Sequence, residues 1–150
     1  MERFKAPSGV VLMLIKKVNG KERILLQRRK NTGFADGLLD LSCSGHVENN
    51  EAMSGAVLRE TREELGLELK KEDLSFVCFI HKKDGDLIYN YGYFVCKKFS
   101  GEPKIMESNK CSEIIWTDIN KLPSDVIDDR RQAVKAYLKG INYLEYGWQN

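Results

Sequence analysis

A helical segment near the centre of the chain places three carboxylates on one face. Good helix formers fill the segment from Ala52 to Leu65. Positions three and four residues apart are neighbours on a helix, which brings together within one turn the side chains of Glu60, Glu63 and Glu64. Like charges this close repel one another, and a divalent cation between them would offset that cost. Oxygen ligands favour hard ions, so the cluster predicts Mg²⁺ or Mn²⁺ rather than zinc.

Both ends of this segment carry helix signals. Asn49 or Asn50 is expected to cap the start, and Glu51 suits the positive end of the helix dipole. Gly66 suits the left-handed position that ends a helix. Three glutamates at this spacing are also common on solvated helix faces, so the cluster taken alone leaves the structural alternative open.

Strand and turn signals surround the helix. Apolar runs predict strands at residues 10–15, 24–28, 38–43, 74–81, 87–99 and 111–116. Asn19-Gly20 and Asp84-Gly85 are hairpin signals, and residues 30–37 are expected to form a loop. A second helix is predicted at residues 126–138, ended by Gly140. Strands interrupted by one helix and closed by another predict an α+β fold: an α/β/α sandwich with a mixed β-sheet between helices.

Length and charge narrow the class of protein. The chain has 150 residues and no repeat or linker, which predicts a single domain over residues 1–150. Its 24 basic and 22 acidic residues nearly balance, so we expect neither stable nucleic-acid binding nor membrane binding.

Cysteine spacing and the N-terminus bear on the compartment. The four cysteines form no close pair, which argues against a zinc site and favours reduced, buried thiols. The longest apolar run, Val10 to Ile15, is too short to span a bilayer, and the N-terminus lacks the pattern of a signal peptide. A cytoplasmic location is the expectation.

The segment from Gly45 to Leu67 resembles the signature of the Nudix hydrolases. That signature reads Gly, five residues, Glu, seven residues, Arg-Glu, an aliphatic residue, any residue, Glu-Glu, any residue, Gly and an aliphatic residue. All seven fixed letters are present, and chance would place them in a chain this long with a probability on the order of 10⁻⁶. One soft position differs, because Thr61 stands where an aliphatic residue is usual. Just before the signature, Ser42 and Ser44 replace the proline and glycine of many relatives.

The resemblance implies a role for each matching residue. The metal ligands would be the carboxylates of Glu60, Glu63 and Glu64 and the backbone carbonyl of Gly45. Glu51 and Arg59 would form an ion pair that locks the loop to the helix, with Arg59 orienting the site rather than reacting. The alternative for this pair is an exposed salt bridge worth little.

Two flanking segments extend the resemblance to MutT-type members. Residues 24–29 resemble the second strand of such members, whose last arginine meets a substrate phosphate, and Arg29 is the matching position. A solvated basic strand end is the alternative. Glu107 lies in a loop that carries an additional acidic residue in such enzymes, which implies a metal ligand or general base; an ordinary charged loop residue is the alternative. Phe34 and Tyr91 are candidates to contact the base, although aromatic residues are more often core or surface.

The implied activity is Mg²⁺-dependent hydrolysis of a pyrophosphate bond in a nucleoside diphosphate linked to another moiety. The flanks favour a nucleoside triphosphate, oxidised ones included, giving nucleoside monophosphate and pyrophosphate. Nucleotide sugars, dinucleoside polyphosphates and a non-catalytic nucleotide-binding module are the alternatives. The expected partner is a small-molecule nucleotide, and a homodimer stays open because many relatives pair.

Overall fold

Antiparallel hairpins and two parallel strand pairs build the sheet. The computed structural model describes residues 1–149. In chain order its elements are β1 (Ser8–Val18), β2 (Lys21–Arg29), β3 (Leu39–Asp40), β4 (Cys43–His46), α1 (Met53–Leu65), a short 3₁₀ turn (Lys71–Asp73), β5 (Leu74–Asp84), β6 (Leu87–Cys96), β7 (Cys111–Asp118), α2 (Asp128–Lys139) and β8 (Tyr143–Tyr146). The strand order is β3-β2-β1-β6-β5-β8, with β4 paired to β1 and β7 paired to β2.

Both hairpin signals correspond to hairpins in the structure. Val18 pairs with Lys21 across Asn19 and Gly20, whose φ angles of 51° and 78° are the left-handed values that such a turn requires. Asp84 pairs with Leu87 across the second turn. Parallel pairing of β1 with β6 and of β5 with β8 makes the sheet mixed, which confirms the predicted architecture.

The sheet is buried on both faces, and β1 contributes to each. Successive strand residues point to opposite sides, so Val11 and Met13 join a core that includes Val134 of α2. Val10 and Leu12 join a second core that includes Ala56, Val57 and Leu65 of α1. A strand covered on both sides has a continuous apolar sequence, which explains the unbroken run in β1.

The start of α1 differs from the prediction. The N-cap is Ala52, with no side-chain bond to the helix, so a cap by Asn49 or Asn50 is wrong. Asn50 instead adopts a left-handed φ of 63° in the preceding turn. Glu51 lies ahead of the helix because its carboxylate binds Arg59. The helix end is as expected, with Gly66 left-handed at φ 68°.

Other boundaries shift for local reasons. The predicted strand at 38–43 is two short strands separated by Leu41 and Ser42. The second helix begins at Asp128, and Leu138, expected on its apolar face, is 43% exposed. The four cysteines are free and buried. Within residues 1–149 no helix combines the length and the hydropathy that a bilayer crossing would need.

Ser42 explains how the chain accommodates its departure from the usual loop sequence. Its fully buried hydroxyl accepts a hydrogen bond from the Leu14 amide and donates one to the Leu25 carbonyl, each at 2.7 Å. The side chain therefore completes the bonding of two central strands where β3 ends and β4 has not begun.

Ser42→Ala should lower the free energy of unfolding by about 2–4 kcal/mol, because it leaves a buried amide and a buried carbonyl unpaired. Denaturant unfolding measures the loss. Ser112→Ala, in an exposed position of β7, should change stability by less than about 0.5 kcal/mol. Equal effects of the two variants would contradict the assigned role.

Candidate active site

The carboxylate face of α1 borders a cavity of about 490 Å³. The α1 residues are joined there by the end of β4 and by the loop before β7. Seven of the residues singled out from the sequence line this first cavity: Arg29, Gly45, Arg59, Glu60, Glu63, Glu64 and Glu107. The structure thus gathers into one place residues that are up to 78 positions apart in the chain (107 minus 29).

Gly45 lies so close to α1 that a side chain at this position would displace Glu60. A Cβ built on Gly45 would overlap the carboxyl group of Glu60. The backbone of this strand end is therefore held beside a carboxylate of the helix. Close backbone approach is a physical reason for glycine at the first position of the signature.

Arg59 ties the loop between β4 and α1 to the helix. It binds both carboxylate oxygens of Glu51, through Nε at 2.7 Å and Nη2 at 2.9 Å. The same guanidinium donates to the His46 carbonyl at 3.0 Å and to Glu60 Oε1 at 2.8 Å. The hydrogen bonds from Arg59 lower the pKa of Glu51 to about 2. The predicted pairing of Glu51 with Arg59 is thus present in the structure, and one arginine also orients a carboxylate of the cluster.

Glu64 sits deepest in the cluster. Gln27 of β2 donates to Glu64 Oε1 at 3.0 Å. Burial raises the pKa of Glu64 well above its usual value, and the neighbouring Glu60 raises it further. Without a cation the Glu64 carboxyl therefore holds a proton at neutral pH, whereas Glu63 has a half-exposed side chain at the cavity mouth.

The cluster fits a divalent cation by its chemistry rather than by a finished coordination shell. Among residues 1–149, no three His, Cys, Asp or Glu side chains already surround one point, and Arg59 donates a hydrogen bond to Glu60. The donors are hard oxygens, which suit Mg²⁺ or Mn²⁺. Binding a cation would displace the proton from Glu64 and draw Glu60 away from Arg59.

Arg29 borders this cavity from the end of β2, held by groups the sequence did not identify. Its Nη1 donates to Asp40 at 2.8 Å, and its Nε donates to the Phe34 carbonyl at 2.7 Å. Asp40 is fully buried, and it also accepts from Arg130 of α2 at 2.9 Å and from Ser44 at 2.9 Å. Burial alone would raise the pKa of Asp40, but the two arginines outweigh it and hold the pKa below its usual value. The sequence signals were an aspartate inside an apolar run and an arginine on the apolar face of α2.

A second cavity, of about 420 Å³, adjoins the first. The two share Arg29, Thr32, Ser44, Gly45 and His46 in their linings. The second cavity is lined by aromatic and cationic side chains: Phe34, Tyr89, Tyr91, Lys82 and Arg130. It therefore contains the two aromatic residues, Phe34 and Tyr91, that were singled out as candidates to contact a base.

The remaining aromatic residues on the sheet lie elsewhere. Tyr93 is fully buried and accepts a hydrogen bond from Arg130. Trp116 stacks on Phe99, on the side of the sheet that α1 covers. Neither residue lines the two cavities, so their aromatic rings serve the packing of the fold.

Residues 7–137 match the family model of the NUDIX domain. This chain belongs to the Nudix family. The match covers the whole site, including the loop with Glu107. Together with the complete signature, it makes this Nudix protein a pyrophosphohydrolase that acts on phosphoanhydride bonds.

Solved structures share the fold. A MutT Nudix hydrolase from Burkholderia pseudomallei superposes with a TM-score of 0.74 at 26% identity, over 88% of this chain and 98% of its own. A MutT protein from Methanosarcina mazei Go1 has a TM-score of 0.74 at 19% identity, over 91% and 97%. The Nudix domain of Shewanella oneidensis NrtR, solved with ADP ribose, has a TM-score of 0.73 at 17% identity, over 91% and 89%.

Two curated relatives carry the name isopentenyl-diphosphate Δ-isomerase 2. The protein from Photorhabdus laumondii subsp. laumondii is 28% identical over 130 residues, which cover 85% of this chain and 73% of that protein. The protein from Aromatoleum aromaticum is 27% identical over 106 residues, covering 69% of this chain and 56% of that protein. The Nudix chain therefore spans little more than half of the second relative.

Gly45→Ala should weaken Mn²⁺ binding by about tenfold or more, because the added methyl displaces Glu60. Calorimetric titration with Mn²⁺ measures the affinity. The matched control is Gly55→Ala, whose methyl would make an ordinary 3.6 Å contact with Glu51 and should stabilise α1 by about 0.5–1 kcal/mol. An unchanged Mn²⁺ affinity in Gly45→Ala would show that this close approach does not shape the cation site.

Glu64→Gln should stabilise the metal-free protein at neutral pH, by on the order of 2 kcal/mol. The folded state holds a proton that the unfolded state releases above the usual carboxyl pKa of 4.5, so wild-type stability falls as the pH rises beyond that value. Glutamine carries no such proton and can still accept from Gln27. Thermal unfolding in EDTA across pH 4 to 8 tests this, with Glu72→Gln as an exposed control; parallel curves for wild type and Glu64→Gln would contradict it.

Proposed function

We propose that this Nudix protein hydrolyses a nucleoside triphosphate, oxidised forms included, to the monophosphate and pyrophosphate, using Mg²⁺, with Mn²⁺ able to replace it. The observation that carries the proposal is the pair of adjoining cavities. One presents carboxylates and the other presents aromatic rings, and both include Arg29 in their lining. A nucleotide has the same two parts, because a charged phosphate chain is joined to a flat base.

The first cavity would take the phosphates. The cation would be held by Glu60, Glu63, Glu64 and the Gly45 carbonyl. When bound there, Mg²⁺ supplies charge neutralisation for the phosphates and lowers the pKa of water. Arg59 keeps its bidentate hold on Glu51 and so fixes the loop that carries Gly45. Its role is to position the ligands, because its guanidinium binds protein groups.

Glu107 and Arg29 would act at the edges of that cavity. The Glu107 side chain is 38% exposed, and its carboxylate lies 3.9 Å from the Lys110 ammonium group. Glu107 can therefore accept a proton from water at the cavity mouth or add an oxygen ligand. Arg29 keeps Nη2 uncommitted among the described hydrogen bonds while Asp40 and Phe34 hold the rest of its guanidinium. That geometry would aim one arm of a rigid fork at a phosphate oxygen.

Other substrates remain alternatives to the triphosphate. The ADP-ribose complex of the NrtR Nudix domain favours nucleotide sugars as the next class, and dinucleoside polyphosphates share the same linkage. The names of the curated relatives raise isopentenyl diphosphate as well. A hydrocarbon chain suits the second cavity poorly, because the charged side chains of Lys82 and Arg130 belong to its lining.

A substrate panel tests the proposed class. Nucleoside triphosphates, ADP ribose, a nucleotide sugar, a dinucleoside polyphosphate and isopentenyl diphosphate are incubated with Mg²⁺ or Mn²⁺, and products are identified by ³¹P NMR. We expect pyrophosphate and monophosphate from a triphosphate, with no activity in EDTA. Double-bond migration in isopentenyl diphosphate without nucleotide turnover would contradict the proposal, and so would tight nucleotide binding without turnover.

Glu63→Gln should lower kcat by about 100-fold or more, because the substitution removes a charged cation ligand from the reacting centre. Steady-state kinetics with the best triphosphate measures the loss. Glu68→Gln is the control, since Glu68 is exposed and pairs with Arg62 outside the cavity. Equal turnover by wild type and Glu63→Gln would remove this residue from the cation site.

A further inference from the structure

Two buried cations border the second cavity. Lys82 of β5 is 7% exposed and Arg130 of α2 is 2% exposed, yet both belong to the cavity lining. Neither residue is part of the family signature. Basic side chains are rarely buried to this extent unless neighbouring groups pair with their charge.

The carboxylates around these two side chains do not balance all of the nearby positive charge. Asp129 pairs with Lys82 at 3.2 Å and with Arg130 at 3.2 Å. Asp40 pairs with Arg130 at 2.9 Å and with Arg29 at 2.8 Å. Three cations therefore share two buried carboxylates, and Arg29 is the cation that is partly exposed, with 17% of its side chain accessible. An acceptor from a ligand would offset the excess positive charge of this network.

Arg130 and Lys82 also carry N–H donors for which the structure describes no acceptor. Arg130 donates through Nε and Nη1 to Asp40, Tyr93 and Asp129. Its guanidinium lies 4.8 Å from the centre of the Tyr91 ring, and no hydrogen bond within residues 1–149 is described for its Nη2. The ammonium group of Lys82 has three N–H donors and a single carboxylate neighbour. These donors belong to the lining of the second cavity, so a ligand with hydrogen-bond acceptors would suit it.

The walls are flat and aromatic. The rings of Tyr89 and Tyr91 stack with their centres 5.8 Å apart. The Phe34 ring lies 5.1 Å from Lys82 Nζ. Aromatic faces suit a planar ring better than a phosphate or a sugar. The carboxylate of Asp84, which is exposed at the rim, adds one acceptor to the lining.

We infer that the second cavity selects purines with a carbonyl oxygen at position 6, as in guanine and hypoxanthine, over adenine. Lys82 and Arg130 would donate to O6 and N7, and Asp84 would accept from N1–H. Lysine and arginine donors match those guanine acceptors, whereas adenine presents an amino group at position 6. The inference rests on the proposed function in placing the phosphates in the first cavity, and it makes Lys82, Arg130 and Asp84 specificity-determining residues.

Binding of monophosphates to the wild-type protein tests the selection without requiring turnover. Isothermal titration with GMP, IMP and AMP in the presence of Mg²⁺ should give dissociation constants for GMP and IMP at least about tenfold below that for AMP. IMP lacks the 2-amino group, so tight binding of IMP assigns the preference to O6. AMP binding as tightly as GMP overturns the inference.

Substitutions of Lys82 and Asp84 test whether these residues produce the preference for guanine and hypoxanthine. Lys82→Met keeps the length of the side chain and removes its charge, so the AMP-to-GMP ratio of dissociation constants should fall about tenfold. Lys83→Met is the matched control: Lys83 is exposed and lies over Trp148 rather than in the cavity, so the ratio should stay at the wild-type value. Asp84→Ala, at an exposed position, should weaken GMP and IMP by several-fold. An unchanged ratio in folded Lys82→Met overturns the inference.

Turnover of GTP, ITP and ATP, measured alongside, separates this inference from the proposed function. Selective GMP and IMP binding with no hydrolysis of any triphosphate supports the base site and contradicts the proposed function. Hydrolysis of all three with equal kcat/KM, and equal binding of the monophosphates, supports the proposed function and overturns the base selection.

Discussion

The bidentate ion pair between Arg59 and Glu51 is the contact on which the active site depends. It spans from the loop before α1 to the second turn of the helix, and the same guanidinium reaches the His46 carbonyl and Glu60. The pair therefore sets the distance between the β4 end, where Gly45 lies, and the carboxylate face of α1. It also explains why the helix starts without an Asn cap, since the chain before Met53 follows the position of Glu51. Burial and the neighbouring Glu60 raise the pKa of Glu64 in the same place, so a cation bound there would have to displace the Glu64 proton.

A second, buried network joins this site to the rest of the fold. Asp40 in the short β3 holds Arg29 at the end of β2 and Arg130 in α2, and Asp129 extends the network to Lys82 in β5. The network includes residues that line both cavities, so one set of charges positions Arg29, which borders both, and the donors of Lys82 and Arg130 in the second. Breaking a buried pair leaves an uncompensated charge, which couples the stability of α2 packing to the shape of the substrate site.

Much of the fold and the core of the site could be predicted from local patterns. The two hairpins, the helix ends at Gly66 and Gly140, and the spacing of the three glutamates are set by residues close in sequence. The charged residues of the second cavity could not be predicted, because Lys82, Asp129 and Arg130 meet only once β5 packs on α2. The short edge strand β8 was missed for a related reason: its four residues pair with β5 but alternate too briefly to stand out. Local signals failed at the start of α1, because the Glu51 side chain binds Arg59, which lies eight positions further along the chain.

Diffraction from crystals soaked in Mn²⁺, recorded for the anomalous signal of manganese, tests most directly whether the signature glutamates of this Nudix protein form its cation site. We predict an anomalous peak between the Glu60 and Glu64 carboxylates and the Gly45 carbonyl, with Arg59 still bound to Glu51 and withdrawn from Glu60. Manganese bound away from this face of α1, with Glu60 still paired to Arg59, would contradict the account.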